Sequence, residues 1–166
     1  FDHVKIRIDS FIEGTTYQVS KSLQSFEAGG LLGKGPGEGL YKKSLPDAHS
    51  DFVFAVAAEE YGVLICSFVI IVYASIILRS LFYTIRNDNL FLILAVGGLA
   101  FQFGFQSLIH MASNTDLIPT KGMTLPFLSY GGSSILASAI TAGMLLGLTR
   151  TNNSLVPITR QFHEKR

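Results

Sequence analysis

From Tyr61 onward the chain is written in long apolar runs. "YGVLICSFVIIVYASIILRSLF" (Tyr61 to Phe82) carries no charge until Arg79, and "LFLILAVGGLAFQFGFQSLIHM" (Leu90 to Met111) carries no formal charge at all. Crossing the hydrocarbon core of a bilayer takes about 20 mostly apolar residues in helical form, and each run suffices. A third run, "FLSYGGSSILASAITAGMLLGL" (Phe127 to Leu148), is diluted by Ser, Thr and Gly. It reads best as a helix packed among others, where small residues let backbones approach closely. Gly143 and Gly147 form a GxxxG pair that fits such packing. The pattern predicts an all-α polytopic membrane protein, with three transmembrane helices within residues 61–150 and a loop near 113–127.

The leading 60 residues follow a different pattern. "TTYQVSKSLQSFEAGG" sets Tyr17, Val19, Leu23 and Phe26 close to helical spacing, and Gly29 and Gly30 supply a stop. This predicts a short amphipathic helix lying on the membrane surface or against other helices. "GGLLGKGPGEG" follows and invites a phosphate-loop reading, which fails because Lys34 is followed by Gly35 instead of Ser or Thr. The dinucleotide pattern G-x-G-x-x-G fits in no register either, so a flexible or tightly turned loop is expected. Residues 1–60 thus read as one large loop outside the membrane, and 151–166 as a tail.

Charge orients the spans. With three crossings, the link "YTIRND" and the tail share one side, while the leading loop and the Asp116 to Lys121 segment share the other. The first side has six basic residues against Asp88 and Glu164; the second has seven basic against ten acidic. The positive-inside rule makes the tail cytoplasmic and the leading loop extracytoplasmic. Over all 166 residues the net charge is only +1, and no block of like charge suggests nucleic-acid binding. Cys66 is the one cysteine and sits in an apolar run, so a disulfide within the chain is excluded and a small packing residue is expected. The chain begins with Phe1 and has no basic-then-apolar leader, which reads as a piece of a longer protein.

Several polar residues stand where apolar ones would be cheaper. In "LPDAHSDFVFAV", Ser50 or Asp51 is placed to N-cap the helix that runs into the first span. The same Asp51, at a membrane boundary beside Asp47, His49, Glu59 and Glu60, could instead be a proton acceptor, and the two roles are compatible. Gln102 and Gln106 share one face of the second span, which then looks into the protein or a wet cavity. His110 ends that span as an interfacial or hydrogen-bonded residue more readily than as a ligand. The loop "NTDLIPTKGMTLPFLSYGGSS" combines prolines, glycines, hydroxyls and Lys121 between spans. Irregular backbone at membrane depth survives only under cover of protein or water. Lys121 and the N–H groups of the Gly/Ser run could meet an anion such as phosphate, or the loop could be an ordinary surface turn with a solvated lysine.

"LPDAHSDFVFAVAAEEYG" and "PTKGMTLPFLSYGGSS", preceded by "YQVSKSLQSFEAGGLLGKGPG", together resemble the SEDS family of shape, elongation, division and sporulation proteins, in wording closest to its cell-division branch. The resemblance covers most of the chain. It implies a ten-helix inner-membrane glycosyltransferase that polymerises lipid II into peptidoglycan strands at the division septum, with this chain supplying the loop before the eighth helix and helices eight to ten. It implies Asp51 as the catalytic residue. Lys121, His49, Ser129, Gly131, Gly132 and Gln106 are then the substrate-binding candidates, and a divalent cation (Mg or Mn) is the candidate cofactor. The implied partners are lipid II, a class B penicillin-binding transpeptidase, other divisome proteins and membrane lipid. Asp47 stands where the family more often has Glu, Tyr61 where it has Leu, and His110 where it has Asn; Lys42 and Lys43 make the approach more basic than typical. A lipid II transporter using the polar helix face, and a non-catalytic scaffold for a transpeptidase, are the competing readings.

Overall fold

The computed structural model describes residues 17–41, 48–119 and 122–150, and every regular element among them is helical. Helix α1 runs Tyr17–Gly29, α2 Val53–Ile85, α3 Leu90–Asn114 and α4 Gly132–Thr149. Three of them, α2, α3 and α4, are long and apolar enough to cross a membrane. The expected spans are there: α2 starts at Val53, ahead of Tyr61, as a helix opening near Ser50–Asp51 and running into the first span requires, whereas α4 starts at Gly132, not Phe127. Residues Phe127 to Gly131 belong to the preceding loop because Phe127 adopts a φ of 64°, which no helix continues through.

A short link lets α2 and α3 pack as an antiparallel hairpin. Asn89 caps α3, its side chain accepting from Phe91 N–H at 3.0 Å. Along the seam Tyr73 stacks on Phe103 with ring centroids 5.5 Å apart. Ile77 fills the space over Gly104, where a Cβ would lie 2.9 Å from its Cδ1. Cys66 is buried beside Phe54 and Ala58, as a small packing residue should be. Helix α4 contributes little cover: Ser138 and Leu145 are its buried residues, while Gly143 and Gly147 stay exposed. The GxxxG pair therefore makes no close helix contact among the described residues. Phe68, Ile71, Leu94 and Phe101 are more than half exposed, a surface suited to hydrocarbon or to further helices.

Helix α1 forms as its spacing predicts and ends at the Gly29–Gly30 pair, with Gly30 at φ 54°. The face it buries against the protein is lined mainly by small residues. Val19, Ser22, Ser25 and Gly29 turn inward with Phe26 partly covered, whereas Leu23 is exposed. Small residues face α2 because the backbones approach closely there: a Cβ on Gly29 would land on Ala58 O. The side chain of Tyr17 lies outside the described residues.

The glycine-rich loop explains itself at Gly62. With φ 77° and ψ −179°, Gly62 breaks α2 into two helical segments. In an unbroken helix Val63 N–H would donate to Glu59 O and Leu64 N–H to Glu60 O. Here the loop inserts itself between both pairs. Lys34 and Gly35 donate to the carbonyls of Glu59 and Glu60 at 3.0 Å, and Val63 and Leu64 donate to those of Gly30 and Leu31 at 3.0 and 3.4 Å. These four backbone groups, released by the break, are each satisfied by the loop, as a membrane boundary demands. The exchange needs two backbones in contact, so a Cβ on Gly62 would strike Leu31 O and one on Gly33 would strike Glu60 O. Glu59, fully buried, holds the far end of the loop, its Oε1 accepting from Leu40 and Tyr41 N–H at 2.7 and 3.0 Å. Below the break, Val63 to Ile85 measures about 34 Å at 1.5 Å per residue, enough for a hydrocarbon core of about 30 Å.

Gly62→Ala should therefore be costly, combining a backbone conformation essentially restricted to glycine with a main-chain clash. We expect a loss of roughly 3 kcal/mol or more, read as a lowered thermal midpoint in detergent. A midpoint equal to wild type would contradict the stitched break.

Candidate active site

The segment before α2 brings Asp51 to the top of the α2–α3 hairpin. Its backbone is pinned at three consecutive carbonyls, those of His49, Ser50 and Asp51. Tyr130 N–H donates to His49 O at 2.9 Å, the Ser129 hydroxyl to Ser50 O at 2.6 Å, and the Asn114 amide to Asp51 O at 3.0 Å. The loop after α3 and the end of α3 thus grip the same short stretch of main chain.

The expected N-cap is not what forms. The capping position is Phe52, whose side chain makes no capping bond. The buried first-turn N–H of Ala55, which has no partner within its own helix, is taken from across the bundle by Asn114 Oδ1, at 3.2 Å. Neither Ser50 nor Asp51 occupies the cap, so the combined role of cap and base is withdrawn. The Asp51 carboxylate instead faces the loop, with Oδ2 3.0 Å from where Gly122 would carry a Cβ. Gly122 has φ 57°, so glycine suits it on both counts. Asp51 remains partly exposed, as a group that must meet a substrate has to be.

The loop from Gly122 to Gly131 runs against α3 and is satisfied by its polar side chains. Gln106 Nε2 donates to Thr124 O at 2.8 Å, and His110 Nδ1 pairs with Met123 O. Tyr73 of α2 donates to Pro126 O. Leu128 N–H also donates to Pro126 O at 2.9 Å, closing a tight turn around Phe127. That left-handed conformation is rare for a bulky residue and costs on the order of 1 kcal/mol. The Phe127 ring meets Phe103 at 6.4 Å, and Leu125 beside it is fully buried.

The residues singled out from the sequence divide into groups. Asp51 and His49 come together with Ser129, Gly131 and Gly132, because Tyr130 and Ser129 are bonded to the His49–Ser50 main chain. His49 is exposed, and Gly131 and Gly132 begin α4, whose first-turn N–H groups can receive an anion. Ser129 is buried; its hydroxyl donates to Ser50 O and accepts from Leu125 N–H at 2.7 Å, so it joins main chain to main chain. Gln106 binds the loop from behind, and Gln102, a turn earlier, is exposed. Lys121 and Asp47 lie outside the described residues. Among the described residues no group of three His, Cys, Asp or Glu side chains is gathered to hold a metal ion.

Asn114 is the residue that sequence reasoning missed. It is fully buried and also donates to His110 O at 2.9 Å, while its own carbonyl accepts from Ser22 of α1 at 2.6 Å. The signal was present: Gln102, Gln106, His110 and Asn114 recur every four residues along α3.

Ser129→Ala would strip the donor from Ser50 O and leave the buried Leu125 N–H unpaired. We expect a loss of about 2 kcal/mol, measured as a shift in the thermal midpoint; a neutral substitution would contradict the clamp.

A family model described as "Cell cycle protein", that of FtsW, RodA and SpoVE, matches residues 4–154. The chain is 45% identical over 153 residues to the probable peptidoglycan glycosyltransferase FtsW of Caulobacter vibrioides, an alignment covering 90% of this chain and 39% of that protein. It is 39% identical over 153 residues to the protein of the same name from Pseudoalteromonas translucida, covering 84% and 38%. With that of Francisella salina it shares 40% identity over 149 residues, covering 86% and 36%. The chain spans well under half the length of these relatives.

Proposed function

This chain belongs to the FtsW/RodA/SpoVE family of cell cycle proteins, and from that premise we propose that the whole protein is a peptidoglycan glycosyltransferase that polymerises lipid II during septal wall synthesis. It is a multi-pass membrane protein. We place it in the bacterial cytoplasmic membrane at the septum, with residues 1–60 outside the cell and the tail inside. Positive charge concentrated on the link and tail supports that orientation.

The observation that carries the reading is the Asp51 carboxylate, held by its main chain yet free of helix capping, and turned toward the Gly122 loop beside the start of α4. Lipid II presents a sugar joined to a polyprenyl pyrophosphate. The 4-hydroxyl of an acceptor sugar forms a bond to the donor's anomeric carbon as the bond from that carbon to the pyrophosphate oxygen breaks. Asp51 takes the hydroxyl proton. The negative charge growing on the leaving pyrophosphate is met by Lys121 and by the N–H groups that open α4 at Gly131 and Gly132. The polyprenyl tail stays in the bilayer while the sugars lie outside. The catalytic assembly includes the rest of the longer protein, with a class B penicillin-binding transpeptidase and other divisome proteins as partners.

A transporter would need the polar face of α3 as a hydrated path. Gln106, His110 and Asn114 are instead bonded to the protein's own main chain, which weighs against that use. Reconstitution of the full-length protein with its transpeptidase and lipid II tests the proposal. Wild type should make glycan strands, and Asp51→Asn should lose at least roughly 100-fold in rate while remaining folded. Undiminished strand synthesis by Asp51→Asn would refute the base assignment, and lipid movement without polymerisation would favour transport.

A further inference from the structure

Asn114 is fully buried; its side chain is bonded to main chain of α2, of the segment before α2 and of α3, and its own carbonyl is bonded to a side chain of α1. Oδ1 accepts the Ala55 N–H at 3.2 Å, Nδ2 donates to Asp51 O at 3.0 Å and His110 O at 2.9 Å, and its carbonyl accepts from the Ser22 hydroxyl at 2.6 Å. The amide orientation is dictated by these partners, since only its oxygen can meet an N–H and only its nitrogen can meet carbonyls. Two of the bonds bracket the start of α2, one at the last carbonyl before the cap and one at the first turn. They fix the main chain on both sides of Phe52, and so the direction in which the Asp51 side chain leaves it.

We propose that Asn114 is a positioning residue for the reaction: its amide holds the Asp51 main chain so that the carboxylate meets the Gly122 loop at the height of the acceptor hydroxyl. The inference rests on the reading of Asp51 as the base. A base must lie within hydrogen-bond reach of the proton it takes, and small displacements of a catalytic group are costly in rate. A side chain bonded to main chain alone makes no contact with substrate, so its loss should fall on the chemical step and leave substrate binding alone.

The test uses full-length protein with its transpeptidase in lipid nanodiscs, measuring kcat, KM for lipid II and the thermal midpoint. Asn114→Ala should lower kcat by roughly 10-fold or more with KM changed by less than about 2-fold. Ser22→Ala, which removes only the bond to the Asn114 carbonyl, controls for stability: it should lower the midpoint yet keep kcat near wild type. Asn114→Asp keeps an acceptor for Ala55 N–H but has no donor for Asp51 O, so it should show the kcat loss even if Asn114→Ala does not fold. Wild-type kcat in either Asn114 variant overturns the proposal, as does a kcat loss in Ser22→Ala that matches its loss of stability. Asp51→Asn run alongside separates the two levels. Activity in that variant sinks the base assignment itself, whereas an inactive Asp51→Asn with a fully active Asn114→Ala sinks only the positioning role.

Discussion

Backbone polar groups near hydrocarbon must find partners inside the protein, and that constraint organises this chain. A broken helix or an irregular loop at membrane depth is tolerable only when each released N–H and C=O is taken up. Among the described residues, continuous helix gives way at Gly62 and in the segment before α4, and the two places are repaired differently. At Gly62 the repair is backbone to backbone, with residues 30–35 threading into the gap in α2. After α3 it is side chain to backbone, with Gln106, His110 and Tyr73 meeting the carbonyls of Thr124, Met123 and Pro126 respectively.

These repairs place the candidate chemistry. The segment around Asp51 sits between them and is gripped by the end of α3 and by Ser129 and Tyr130. Bonds that would otherwise go to water go to the neighbouring segment, so the loop is tied directly to the main chain just before Asp51. A carboxylate held by its main chain, with its side chain left to the cleft, suits a proton acceptor. The strained turn at Phe127 has the same origin: Tyr73, Leu128 and the Phe103 ring hold it in a conformation it would not adopt alone.

Much of the fold was legible because apolar length is a strong signal. The runs from Tyr61, from Leu90 and toward Leu148 became helices, and Gly29–Gly30 ended α1. The errors have physical causes. The third run started too early because Phe127 and Leu128 are apolar but bound into a turn. On α1 the apolar spacing shows a helix but not which face meets α2, because close backbone approach selects Ser22, Ser25 and Gly29 and leaves Leu23 exposed. The GGLLGKG stretch reads as a flexible or tightly turned loop, and its role is not legible, since its partner at Gly62 lies 27 residues beyond Gly35 and only tertiary structure joins them. At the site, Asp51 stood out by motif, but the cap that frees it comes from Asn114, and a cap supplied across 59 residues of chain leaves no local trace.

Amide hydrogen exchange on the full-length protein in nanodiscs tests the central claim most directly. If every irregular segment is satisfied internally, the amides of Lys34, Gly35, Val63, Ala55, Leu125 and Tyr130 exchange as slowly as those in the middle of α3. Exchange of these amides as fast as that of an unprotected surface loop would contradict the account, because the breaks in the helices would then be hydrated and not stitched.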